Sequence, residues 1–119
     1  MTNVFVYGTL KRGGSNHRYL AGQRFLGTAH TAPGLTLFSL GDYPGMVPWP
    51  ADQDGVTGEL WAVDDAGLAR LDELEGLAEN LYRRAPVTLA PPFAEVVAQG
   101  YFYQRGLEGY RHLGADWPA

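Results

Sequence analysis

Cysteine is missing altogether. Disulfides, thiolate metal sites and a cysteine nucleophile are therefore excluded. No apolar run approaches the roughly 18 residues that a membrane-spanning helix needs. The opening residues are polar and then strand-like, without the charged-then-apolar order of a secretory leader. A soluble, cytoplasmic protein with no membrane partner is the expectation. Charge is also scarce, at 18% of residues, although the apolar content is too high for a disordered chain. The balance is acidic, −4 in net charge, and no basic run is interleaved with aromatics. Nucleic acid is therefore not expected as a partner. His17, His30 and His112 lack metal-ligand spacing, so no metal site is expected. Neither Ser15 nor Ser39 sits in a Gly-x-Ser-x-Gly elbow.

What remains is a chain of 119 residues with 45% hydrophobic and 13% aromatic content, enough for one core. A single domain over 1–119 is expected. Sixteen glycines and eight prolines point to a turn-rich, mostly β architecture. Strands are predicted over 4–7, 24–30, 35–40, 56–63, 83–89 and 95–103, with a short helical turn within 15–21. The segment 41–50 holds three prolines and two glycines and reads as loop. Its large side chains, Tyr43, Met46 and Trp49, either fold onto the core or line a pocket. Leu107, Tyr110, Leu113 and Trp117 predict a tail that packs on the domain.

Asp64 or Asp65 is a suitable N-cap for a helix over 66–75 that ends at Gly76. Advancing about 100° per residue from Leu68 puts Leu71 near about 300° and Leu74 near about 240°. The apolar stripe is thus centred on Leu71. Glu73 falls roughly 160° from that centre and belongs in water, whereas Glu75 falls only about 40° away. A carboxylate on an apolar face has two explanations. One is a buried ion pair, with Arg84 as the candidate partner. The other is a general acid/base, because burial and the negative helix end both raise a carboxyl pKa.

The remaining stretch is Val4-Phe5-Val6-Tyr7-Gly8-Thr9-Leu10-Lys11-Arg12-Gly13-Gly14. A β-branched and aromatic run stops abruptly at glycine, as a short buried strand feeding a loop does. Taken alone, it is either a tight turn or a cradle of backbone donors for an anionic ligand. Gly8 and Gly13 have the gap of a Walker A loop, but Gly14-Ser15 follows in place of Lys-Ser/Thr, which argues against a nucleotide.

The string Tyr7-Gly8-Thr9-Leu10-Lys11-Arg12-Gly13, followed by Asn16-His17 and Leu20, resembles the opening signature of the gamma-glutamylcyclotransferase-like (AIG2-like) family. The closest branch is the gamma-glutamylamine cyclotransferases. Leu71-Asp72-Glu73-Leu74-Glu75-Gly76 with Tyr82-Arg83-Arg84 resembles the family's second motif. Asp42-Tyr43-Pro44 and Phe102-Tyr103 match weaker positions. The resemblance implies an α+β fold, a small mixed sheet curled toward a barrel with one principal helix packed on it. It implies that a γ-glutamyl group cyclises to 5-oxoproline with release of an amine, without metal or cofactor. In that chemistry Glu75 is the catalytic acid/base, Gly8, Thr9 and Leu10 bind the substrate's anionic oxygens, and Tyr7, Tyr82 and Tyr103 wall the pocket. The only partner implied is a small γ-glutamyl substrate; its amine and the oligomeric state stay open. Two rival functions are a non-catalytic module that binds a small acidic metabolite and a hydrolase of the γ-glutamyl bond.

Overall fold

The computed structural model describes residues 1–118. Its strands are β1 (Thr2–Val6), β2 (Arg24–His30), β3 (Leu35–Ser39), β4 (Pro44–Pro48), β5 (Thr57–Val63), β6 (Tyr82–Val87), β7 (Ala98–Tyr103) and β8 (Arg111–Gly114). Helix α1 (Asp65–Leu74) lies between β5 and β6. The strands form one sheet in the order β2-β5-β1-β7-β4-β3-β8, with β6 paired to β7. Pairing is antiparallel except for β7 with β1 and with β4. The path ends at β2 and β8, so the sheet curls toward a barrel without closing. This is the α+β arrangement expected from the sequence.

Alternation along β1 divides the core. Val4 and Val6 join Trp61, Val63 and Leu71 on the face that α1 covers. Phe5 and Tyr7 point the other way, toward Leu37, Met46, Leu60 and Phe102. Side chains of this size each contribute about 1.5–3 kcal/mol when fully buried, so β1 anchors both sides at once. The stripe of α1 behaves as its spacing requires: Leu71 is completely buried, and Leu68 and Leu74 pack on the same cluster. Asp64 is the N-cap, its carboxylate accepting the Gly67 N–H at 2.7 Å. Glu75 is the C-cap, and Gly76 follows in the left-handed conformation at φ +66°.

Two elements differ from expectation. The segment read as loop contains β4, whose prolines sit at its two ends, opposite Ser39 and Leu35 of β3. Terminal positions tolerate a missing N–H, so proline-rich composition hid a strand. Gly45 is required inside it, because a Cβ there would lie 2.9 Å from the Tyr103 Cβ. The tail likewise contributes a strand, β8 on β3. Leu107, Leu113 and Trp117 pack as expected, whereas Tyr110 stays exposed. The last long strand starts at Ala98, later than expected, because residues 90–96 form consecutive turns. Among the described residues no helix is long and apolar enough to cross a membrane.

Candidate active site

β7 gives one whole edge to β6, along residues 98–103. Its other edge is shared: β1 pairs at Gln99 and β4 at Phe102. The sheet therefore splits where β1 ends, and Tyr7 fills the split. Its hydroxyl donates to the Tyr101 carbonyl at 2.7 Å and accepts the Met46 N–H at 3.1 Å. One phenol thus replaces the ladder bonds that neither β1 nor β4 can supply.

Beyond Tyr7 the chain leaves the sheet as a folded loop. Lys11 N–H bonds the Gly8 carbonyl at 3.1 Å, and Gly14 N–H bonds the Lys11 carbonyl at 2.8 Å. Asn16 donates twice to Thr9, from its backbone to the carbonyl at 2.9 Å and from Nδ2 to Oγ1 at 3.0 Å. The far end is held by Glu59, a buried carboxylate on β5. It accepts the Arg12 N–H at 3.0 Å, Arg12 Nε at 3.1 Å and the Trp61 indole N–H at 3.2 Å. With both ends fixed, the N–H groups of Gly8, Thr9 and Leu10 have no partner among the described residues. Gly8 has a steric reason to be glycine, since a Cβ would stand 2.6 Å from Pro44 Cγ. That close approach comes from the protein's own β4 turn and not from a ligand.

A cavity of about 300 Å³ opens beside this loop. Its wall includes Tyr7, Gly8, Thr9, Leu10, Glu75 and Tyr82, so most of the sequence-predicted residues come together on one surface. Tyr103 does not join them. It packs edge-on against Tyr82, with ring centroids 5.6 Å apart, and is absent from the wall. Tyr101, two residues earlier on the same strand face, lines the cavity instead. The 41–50 segment divides its large side chains: Tyr43 lines the cavity, Met46 enters the core, and Trp49 packs outside, edge-on to Phe38 and tilted to His112. Ser15, Asn16, Asp42 and Leu81 also reach the wall. Asn16 and Asp42 belong to stretches that resemble family positions, whereas for Ser15 and Leu81 the sequence carried no signal beyond proximity to the two motifs.

Glu75 is half-buried and lines the cavity. Its carboxylate makes no hydrogen bond or ion pair with any described residue. Desolvation by the surrounding protein raises its pKa from an ordinary 4.5 to about 7. The alternative of an ion pair with Arg84 is not what forms. Arg84 instead grips Asp72, with Nε 2.9 Å from Oδ1 and Nη2 3.1 Å from Oδ2, and it also donates to the Gln99 side chain. Asp72 accepts the Tyr101 hydroxyl as well, at 2.7 Å. Glu73, on the opposite side of the helix, is exposed.

Burial raises the pKa of three phenols on the wall, Tyr7, Tyr82 and Tyr101. Tyr7 is pushed well above its ordinary value by desolvation and then by the Glu75 charge. Tyr82 and Tyr101 are raised for the same leading reason. Tyr82 is also committed as a donor, to the Pro44 carbonyl at 2.6 Å. Among the described residues no group of three or more His, Asp or Glu is placed to hold a metal ion. The site therefore offers one ionisable carboxyl near neutrality, free backbone donors and an aromatic wall.

The family model described as gamma-glutamyl cyclotransferase, AIG2-like, matches residues 4–119. A Vibrio cholerae relative with the provisional name gamma-glutamylcyclotransferase is 45% identical over 101 residues, spanning 85% of this chain and 81% of the relative. A Niallia circulans protein named gamma-L-glutamyl-butirosin B gamma-glutamyl cyclotransferase is 31% identical over 110 residues, spanning 88% of this chain and 69% of that protein. The crystal structure of an AIG2-like protein from Mus musculus superposes with a TM-score of 0.72 at 30% identity, covering 89% of this chain and 78% of that one.

Proposed function

This chain belongs to the gamma-glutamyl cyclotransferase, AIG2-like family, and from that membership we propose that it cyclises the γ-glutamyl group of a γ-glutamyl amine to 5-oxoproline. The observation that carries the reading is Glu75: a desolvated carboxyl with no partner among the described residues, on the wall of a cavity also lined by Gly8, Thr9 and Leu10, whose N–H groups are unpaired there. In the proposed reaction Glu75 takes a proton from the substrate's α-ammonium. The freed α-amine nitrogen attacks the γ-carbonyl carbon. The new C–N bond closes the five-membered ring, Glu75 gives its proton to the departing nitrogen as the bond to the amine breaks, and the ring nitrogen passes its second proton through the emptied Glu75 carboxylate to the freed amine, which leaves as an ammonium. The loop N–H groups would hold the substrate's carboxylate or the oxyanion that forms during attack.

A pKa near neutrality suits both halves of this transfer, since one group must accept and then donate. Nucleophile and electrophile sit in one molecule, so orientation supplies much of the acceleration, on the order of 7–11 kcal/mol for well-aligned intramolecular reactions. The cavity lies at the small end of the range for ligand sites, about 300–1,000 Å³, which fits a glutamyl group rather than a polymer. Incubation with γ-glutamyl amines and γ-glutamyl peptides in ¹⁸O-water tests the reading. Unlabelled 5-oxoproline is the expected product, and labelled free glutamate would make the protein a hydrolase.

A further inference from the structure

We propose that the amine released by this site carries a positive charge of its own, and that Asp42 selects it. The inference rests on the cyclisation reading above and adds the substrate's other half. Among the described residues two carboxylates, Glu75 and Asp42, line the cavity, while no lysine, arginine or histidine does. Three cations of neighbouring segments are engaged elsewhere. Arg84 is bound to Asp72, Arg12 to Glu59, and Lys11 Nζ donates to the Trp117 carbonyl at 2.6 Å.

Glu75 serves the α-ammonium of the glutamyl group. Asp42 is then the charge left for whatever is attached to the γ-carbonyl. It lies in the turn between β3 and β4 that the Leu40 N–H to Tyr43 carbonyl bond closes at 2.9 Å. It is exposed and has no hydrogen bond or ion pair among the described residues. Next to it Tyr43, also on the wall and 38% exposed, offers an aromatic face that favours an ammonium group. A leaving amine that bears a carboxylate would meet Asp42 with no cation to offset it. The net charge of −4 biases encounter in the same direction.

An exposed charge pair changes affinity by about fivefold at most, and salt screens it. Three γ-glutamyl amides of equal chain length, ending in ammonium, hydroxyl or carboxylate, provide the test. The expected order of kcat/KM is ammonium, hydroxyl, carboxylate, with about a fivefold drop per step. The spread should narrow in high salt and collapse in Asp42→Asn. Equal kcat/KM for the three amides, or a spread that ignores both salt and Asp42→Asn, would overturn the selectivity while leaving cyclisation intact. Failure to release 5-oxoproline from any of the three would instead defeat the cyclisation reading, and this proposal with it. The salt series on the unaltered protein stands independently of how the variant folds.

Discussion

The Arg84 guanidinium meets Asp72 at two points, 2.9 and 3.1 Å, and leaves Glu75, one turn further along the same helix, without a cation. An aspartate on the border of the apolar stripe takes the arginine. The glutamate nearer its centre faces the cavity alone. Glu75→Gln keeps size and polarity but cannot exchange a proton. Turnover should fall by about 10²–10⁴-fold, the usual cost of losing a general acid/base. Stability should be unchanged or slightly higher, because a neutral amide avoids both the desolvation cost and the negative end of the helix. Glu73→Gln, on the wet side, should stay within about 0.5 kcal/mol and keep full activity. Measuring kcat and a thermal midpoint for both variants decides the matter. An unfolded Glu75→Gln or a fully active one contradicts the assigned role.

The raised pKa of Glu75 makes activity and stability respond to pH in opposite senses. The folded protein holds this proton up to about pH 7, whereas the unfolded chain releases it near 4.5. Between those values the folded state binds more protons, so stability is greatest below about 4.5 and declines as pH rises through 7. The contribution is at most about 3.5 kcal/mol, from about 1.4 kcal/mol per pKa unit. Base catalysis requires the ionised form, so kcat/KM should instead rise through pH 7. Denaturant melts across pH 5–8 should show the decline in the unaltered protein and a flatter profile in Glu75→Gln.

Glu59 and Arg12 form an ion pair at 3.1 Å, but the arginine side chain is 52% exposed, so the pair itself is worth little. The acceptor role of Glu59 matters more, since it also serves the Arg12 backbone and the buried Trp61 indole. Arg12→Ala should cost less than about 1 kcal/mol. Glu59→Ala strands a buried indole N–H and frees the end of the loop, at about 2–3 kcal/mol. KM should rise in Glu59→Ala, because the unpaired N–H groups of residues 8–10 lose their fixed geometry. Denaturation curves and steady-state kinetics on the two variants separate the effects. Equal costs would mean that the ion pair, and not the acceptor, holds the loop.

The contrast between local and distant determinants explains what could be read from residues alone. Helix α1, its Asp64 cap and the inward position of Glu75 follow from spacing within a few turns. The loop after β1 announces itself by a strand broken at glycine. By comparison, Arg12 and Glu59 are 47 residues apart, and Tyr7 and Tyr101 are 94 apart. Such pairs exist only once the sheet order is set, and no local pattern encodes that order. The same holds for β4: Pro44 and Pro48 read as breakers until β3 pairs with it and places them at its ends. Tyr103 enters only through its resemblance to a family position, and Tyr101 alternates onto the same strand face. Only the position of the split in the sheet decides which of them reaches the cavity.

That split also fixes what Tyr7 can do. Its hydroxyl is buried, with one partner accepting its proton and another donating to its oxygen. Burial holds the phenol neutral, so it is not a ready proton donor or acceptor at ordinary pH. The residue borders the cavity with its ring while its polar end joins three strands. Tyr7→Phe preserves the ring and removes the joint, leaving the Met46 N–H and the Tyr101 carbonyl without partners in residues that are almost completely buried. An orphaned buried group costs about 1–3 kcal/mol, so the loss should be about 3 kcal/mol for the pair. For a domain of this size that lowers the thermal midpoint by more than about 10 °C. The folded fraction should keep kcat within about tenfold, because no proton in transit passes through this oxygen. A Tyr7→Phe protein that melts normally but turns over more than about 10²-fold slower would show the reverse: a phenol that serves the substrate and only incidentally the sheet.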